Sequence, residues 1–217
     1  MHIFTELSPP NQTLHNNQVA GTSTALVKQI LQRAKLTGEF TMYPWARAYN
    51  STLKQPNGLI YSMAKTPERE DLFHWIGAVA VFHLGFVSNR YRSDIQIKSL
   101  ADAKQYKVAV QRGDVAAGTL KALGFNFIET SDIQKSYELL VANRVDLVID
   151  DPRYVTNMAE ALNLPDEHFA FIYDIEQLTV KGYLAANKQL PEAVIVELRK
   201  AFEQVASTPE YKNVLEL

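Results

Sequence analysis

The chain has 217 residues, of which 47% are hydrophobic, 21% charged and 10% aromatic, and its formal net charge is −2. This is an ordinary globular composition, long enough for one large domain or two small lobes, and without a Lys/Arg cluster it argues against a nucleic-acid partner. The absence of cysteine excludes disulfides and thiolate metal sites, and no apolar run approaches the roughly 20 residues of a membrane span.

The N-terminus, "MHIFTELSPP", enters a strand-like run at once, with no basic n-region or apolar h-region ahead of it. Either the protein is cytoplasmic or a leader has been removed ahead of Met1. Strands are predicted at "HIFT", "EFTMYPW", "GLIYSM", "AVAVFHLGFVSN", "YKVAVQ", "FNFIET", "VDLVID", "FAFIYDI" and "TVKGYLAAN". Helical periodicity lies between them. In "TSTALVKQILQRAK" the residues Leu26, Val27, Ile30, Leu31 and Ala34 fall on one face, and "SYELLVANR", "RYVTNMAEALNL" and "PEAVIVELRKAFEQVAS" read the same way. Strands alternating with helices predict an α/β fold with mostly parallel sheet. Residues 78–89 and 169–187 are strand-like over lengths well beyond the usual five or six residues. Two strands that long can each leave one sheet and enter another. They divide the chain into a discontinuous lobe, 1–85 with 182–217, and a continuous lobe, 86–181.

Enzymatic constellations are scarce. The histidines (His2, His15, His74, His83, His168) have no metal-binding spacing, and no nucleophile elbow, dinucleotide fingerprint or Walker loop is present. His74 and His83 lie in apolar runs and read as hydrogen-bonded core residues. Candidate ligand residues gather instead where strands end, the usual ligand edge of open α/β sheets.

After the first strand, "TELSPPNQ" carries Glu6 and reads as a turn or a ligand loop. In "YPWARAY", Tyr43, Trp45 and Tyr49 are core aromatics or surround Arg47 for cation–π and carboxylate contacts. In "SMAKTPERE", Thr66 and Pro67 open a short helix whose first turn holds Arg69, a cation at the positive end of the dipole. Arg69 is either a surface residue paired with Glu68, Glu70 or Asp71, or a clamp for an anionic ligand. Gly113 and Asp114 stand between a strand and a helix, where free N–H groups suit an anion. Asp150 and Asp151 end a strand of hydrocarbon, and Asp151-Pro152 reads as a helix cap followed by proline, or as a carboxylate that meets a ligand ammonium.

Taken together, "TPERE", "FHWIGAV", "IQIKSLADAKQYKVAV" followed by "QRGD", "NRVDLVIDDP" and the ending "STPEYKNVLEL" resemble the type II periplasmic solute-binding proteins over nearly the whole chain. The nearest branch is the amino-acid-binding components of ABC importers. The resemblance implies two α/β lobes, two β-strand hinges and a ligand cleft between the lobes. It implies that Arg69 of the T-x-x-R motif begun by Thr66 holds a ligand carboxylate, helped by N–H groups of Asp114 and Val115 after Gly113. It also implies that Asp151, with Asp150 as the neighbouring possibility, holds an α-amino group shared with a backbone carbonyl near Ser62. The stretch Ser62-Met63-Ala64 departs from the family's G-x-T, so the hydroxyl that would join the grip is missing at Ala64. Tyr43 and Trp45 would then select the ligand's side chain or ring.

The function expected from the resemblance is an extracytoplasmic, monomeric protein that captures a small carboxylate-bearing solute, an amino acid or relative, for the permease of an ABC importer. No metal or cofactor is expected. The same fold would also serve as the ligand-sensing ectodomain of a membrane receptor with an output domain. A dehydratase of this fold is the third reading, and Glu6, Asp150 or Glu176 would be its general acid.

Overall fold

The computed structural model describes residues 1–215; Glu216 and Leu217, the end of "STPEYKNVLEL", lie outside the described residues. The chain divides into two compact units. Unit 1 comprises Met1–Val81 and the chain from Val180 onward, and unit 2 comprises Phe82–Thr179.

Unit 1 begins with β1 (His2–Thr5), a hairpin of β2 (Thr13–His15) and β3 (Gln18–Ala20), and α1 (Thr22–Arg33). It continues through β4 (Glu39–Met42), α2 (Trp45–Lys54), β5 (Gly58–Ala64) and α3 (Pro67–Glu70) into β6 (Phe73–Asn89), which runs on into unit 2. There the chain forms α4 (Leu100–Ala103), β7 (Val108–Gln111), α5 (Val115–Ala122), β8 (Phe127–Thr130), α6 (Ile133–Val141), β9 (Leu147–Asp150) and α7 (Val155–Ala161). Strand β10 (Phe169–Asn187) returns to unit 1, which closes with α8 (Glu192–Ala206) and α9 (Pro209–Leu215).

In unit 1 the strands lie in the order β4-β1-β5-β10, with β1 parallel to both β4 and β5 and β10 antiparallel to β5. In unit 2 the order is β6-β9-β7-β8, with β7 parallel to β8 and β9 and β6 antiparallel to β9. The parallel strands are the ones joined by helices, because a parallel return needs a crossover. The two antiparallel members are the long ones.

Helix α1 buries Leu26, Val27, Ile30 and Leu31 against Ile195, Leu198, Ala201 and Val205 of α8 and against Ile3, Leu59 and Leu184 of the sheet. Each such side chain contributes about 1.5–3 kcal/mol of transfer free energy. Unit 2 has apolar clusters on both faces of its sheet. Phe86, Val108, Val110, Leu120 and Ile149 lie on one, and Val87, Ala109, Tyr137, Val148 and Met158 on the other. Helices α5 and α6 start on side-chain caps: Asp114 accepts from Ala116 N–H at 2.7 Å, and Asp132 from Lys135 N–H at 2.8 Å.

Several elements differ from the sequence expectations. "YPWARAY" leaves the strand at Pro44 and becomes α2, whose buried Trp45, Ala48 and Thr52 follow helical spacing. β6 begins at Phe73 rather than at Ala78, because the aromatic run "FHWI" suits a pleated surface. The hairpin β2–β3 turns at Asn16-Asn17, whose φ angles of 48° and 60° fit a two-residue turn matched to strand twist. His74 and His83 are only half-buried; the His74 ring faces the Lys188 carbonyl at 3.2 Å.

Candidate ligand-binding site

In unit 1, the short helix α3 places Arg69 against the first turns of α2. Arg69 is buried, at 9% exposure. Its guanidinium carbon lies 5.1 Å from the centre of the Trp45 ring and 5.6 Å from that of Tyr49, and Nη1 donates to the Ala64 carbonyl at 3.0 Å. Burial lifts the Tyr49 hydroxyl above its usual pKa of 10, and the Arg69 charge opposes that rise. Arg69 is therefore not a surface residue, though its charge still acts on the Glu68 carboxylate, while Glu70 pairs with Lys65 at 2.8 Å. Thr66 stands at the cap position with extended backbone but makes no cap hydrogen bond. Its hydroxyl bonds the Glu68 carboxylate, which holds that group below its usual range. Beside this cluster, Tyr43 stacks on Phe4 with centroids 6.1 Å apart, and the Arg47 guanidinium lies 3.8 Å from the Tyr43 ring centre.

Strand β5 carries an irregularity one turn of chain before Arg69. Tyr183 pairs with Met63 and Ala185 with Ile60, so Tyr61 and Ser62 oppose Leu184 alone. Such a bulge re-aims the strand, and Ser62 adopts φ 60° within it. The Ser62 hydroxyl accepts from Gln12 Nε2. Gln12 is fully buried and its Oε1 has no hydrogen-bond partner within the described chain. This residue, at the end of "TELSPPNQ", was not singled out by sequence reasoning; a polar side chain after a proline pair was its only signal. Glu6, directly after β1, is half-buried and is not free. Among the described residues no group of acids and histidines could hold a metal ion.

In unit 2, Asp114, Asp150 and Asp151 stand at the C-terminal edge of β7 and β9. Gly113 adopts φ 71°, which lets β7 turn into α5. The Asp114 N–H closes that turn on Gln111 at 3.2 Å, and its carboxylate caps α5. Val115 is the first helical residue, so its N–H has no acceptor in the helix itself. Asp150 Oδ2 accepts from the Tyr137 hydroxyl at 2.7 Å and Oδ1 from the Asp151 N–H at 2.8 Å. Burial, opposed by the Tyr137 bond, lifts the Asp150 carboxyl to about 7. Asp151 is fully buried and paired with Arg153, whose Nη2 lies 2.6 Å from Oδ2. The helix expected from Asp151-Pro152 starts later: Asp151 closes a turn with Tyr154 N–H at 2.9 Å, and α7 begins at Val155. Glu176 is exposed on β10.

No family model and no curated protein sequence matches the chain. Solved structures do. A histidine kinase sensor domain with similarity to periplasmic binding proteins superposes with a TM-score of 0.85 at 14% identity, over 99% of this chain and 93% of that one. The periplasmic binding protein of an arginine transport system from Legionella pneumophila gives 0.82 at 20% identity, covering 98% and 96%. The GluR0 ligand-binding core from Nostoc punctiforme, in complex with (L)-glutamate, gives 0.76 at 19%, also covering 98% and 96%. At such identities the likeness speaks for architecture, and the chain has the α/β fold of the type II periplasmic binding proteins.

Proposed function

We propose that this protein is an extracytoplasmic solute-binding protein that captures a small carboxylate-bearing ligand and presents it to the permease of an ABC importer. The observation that carries the reading is Arg69: a guanidinium set against the Trp45 and Tyr49 rings, with one nitrogen on a backbone carbonyl. A planar cation held this way keeps its donors in a fixed fork, the geometry that suits a carboxylate. Trp45 and Tyr49 offer the apolar surface for the rest of the ligand, and the Ser62 bulge and Gln12 supply polar contacts beside it. In unit 2 the Val115 N–H at the α5 entry has the right sign for an anion, whereas the Asp114 N–H is taken by Gln111. Capture proceeds by bending in β6 and β10, with the ligand stabilising the arrangement it contacts most fully. The protein acts as a monomer and without cofactor.

The second reading, a sensing ectodomain, is favoured by the superposition on a kinase sensor domain. A membrane segment and output domain encoded downstream would select it over the importer. Both readings share the ligand test. A thermal-shift screen of amino acids, their relatives, dicarboxylates and aromatic acids is expected to yield a stabilising acid, worth about 2.7 kcal/mol at 100 times its Kd. The Arg69→Met variant is expected to lose that shift. An unchanged shift in the variant would remove Arg69 from the site.

A further inference from the structure

Asp151 is fully buried and has no remaining capacity to accept. Oδ1 accepts from the backbone N–H of Arg153 at 3.0 Å and from its Nε at 2.8 Å. Oδ2 accepts from Arg153 Nη2 at 2.6 Å and from the His83 N–H at 2.8 Å. A carboxylate offers about four lone-pair positions, and here each has a donor. Proline at 152 and the turn closed by Tyr154 N–H on Asp151 bring Arg153 back over its neighbour two residues earlier. The pair holds the Arg153 guanidinium above its ordinary pKa, chiefly through the Asp151 hydrogen bonds.

The other carboxylates at the same strand ends are also committed. Asp150 takes Tyr137 and the Asp151 N–H, Asp114 caps α5, and Glu6 of unit 1 is not free. A ligand ammonium needs a strong acceptor to replace its water, and at Asp151 it would meet the chain's own guanidinium instead. We propose that Arg153 is a specificity-determining residue that closes Asp151 to ligand ammonium groups, so that the protein selects small organic acids without requiring an α-amino group. This rests on the reading above that the ligand is a small acid, and it narrows the class.

The experiment is calorimetry on matched pairs, an α-amino acid against the same acid without its amino group: glutamate with glutarate, and phenylalanine with 3-phenylpropionate. For whichever pair binds, the acid lacking the amino group is expected to bind at least as tightly as its partner, within threefold. An amino acid more than tenfold tighter than its partner overturns the proposal. The Arg153→Met variant, which bares the Asp151 carboxylate, is expected to shift the pair ratio at least tenfold toward the amino acid. An unshifted ratio removes Arg153 as the determinant, and if the variant fails to fold the pair ratio of the unaltered protein decides. Absence of binding by any acid overturns the small-acid reading, and this inference with it. That outcome is distinct from acids binding with a strict amino requirement, which overturns the inference alone.

Discussion

The Tyr137 hydroxyl donates to Asp150 Oδ2 at 2.7 Å inside unit 2, where both side chains are nearly sealed from solvent. The bond favours the ionised carboxylate, yet burial outweighs it and the Asp151 and Asp114 charges add to the rise, so Asp150 titrates near 7. In the unfolded chain it titrates near 4. Between those values the folded state holds a proton that the unfolded state has lost, so stability falls as pH rises. About three pH units at about 1.4 kcal/mol each set an upper bound of about 4 kcal/mol. We expect the melting temperature to decline from pH 4 to pH 7 through this group, and Asp150→Asn to flatten that decline. Equal slopes in the two proteins would refute the assignment.

The bulge at Ser62 gives a test of backbone strain. At φ 60° a Cβ costs roughly 1–2 kcal/mol that glycine avoids. Ser62→Gly and Ser62→Ala both remove the hydroxyl that meets Gln12, so the difference between them isolates the backbone. Ser62→Gly is expected to be more stable than Ser62→Ala by about 1 kcal/mol in urea unfolding, the reverse of the order elsewhere in a strand. Equal midpoints would show that the strand relaxes here.

Gly85 in β6 is a packing constraint of a different kind. A Cβ built there would lie 2.2 Å from the Tyr173 carbonyl oxygen and 2.5 Å from the Phe171 ring. One contact is with backbone of an adjacent element, so it cannot be relieved by a rotamer change. Gly85→Ala is expected to cost about 1–3 kcal/mol, read as a lower denaturant midpoint at constant slope. A loss under 0.5 kcal/mol would mean that β10 yields at Tyr173.

Lys65 and Glu70 form an ion pair of 2.8 Å with both side chains well exposed. Water and salt screen such an exposed pair, so it contributes little to stability. Lys65→Ala is expected to leave the melting temperature nearly unchanged and to leave acid binding intact. A lost ligand shift in this variant would place Lys65 in the site in addition to Arg69.

The fold class was legible because α1 and α8 repeat their apolar residues at helical spacing and the strands between them are short, β-branched runs. Arg69 was conspicuous as a cation in the first turn of a short helix, but its burial against Trp45 and Tyr49 was not. The grip of Arg153 on Asp151 was invisible, since the motif reads equally well as a helix cap followed by proline. What decides is that the helix starts at Val155, leaving room for a turn. Tyr137 and Asp150 could not be paired from sequence, because nothing local links a helix side chain to a strand end from another crossover. Helix α2 was hidden by its aromatics, which suit strands as well as helices; Pro44 followed by apolar spacing was the available signal.

Strand β10 is long enough to leave unit 2 and return to unit 1, where it lies beside β5 and leads to α8 against α1. This sets an order on synthesis. Every residue of unit 2 emerges from the ribosome before the strand and helix that complete unit 1. Until then the apolar face of α1, with Leu26, Val27, Ile30 and Leu31, has no α8 to cover it. A nascent chain that has emerged as far as Thr179 therefore presents all of unit 2 but an incomplete unit 1, the state in which a chaperone has most to hold.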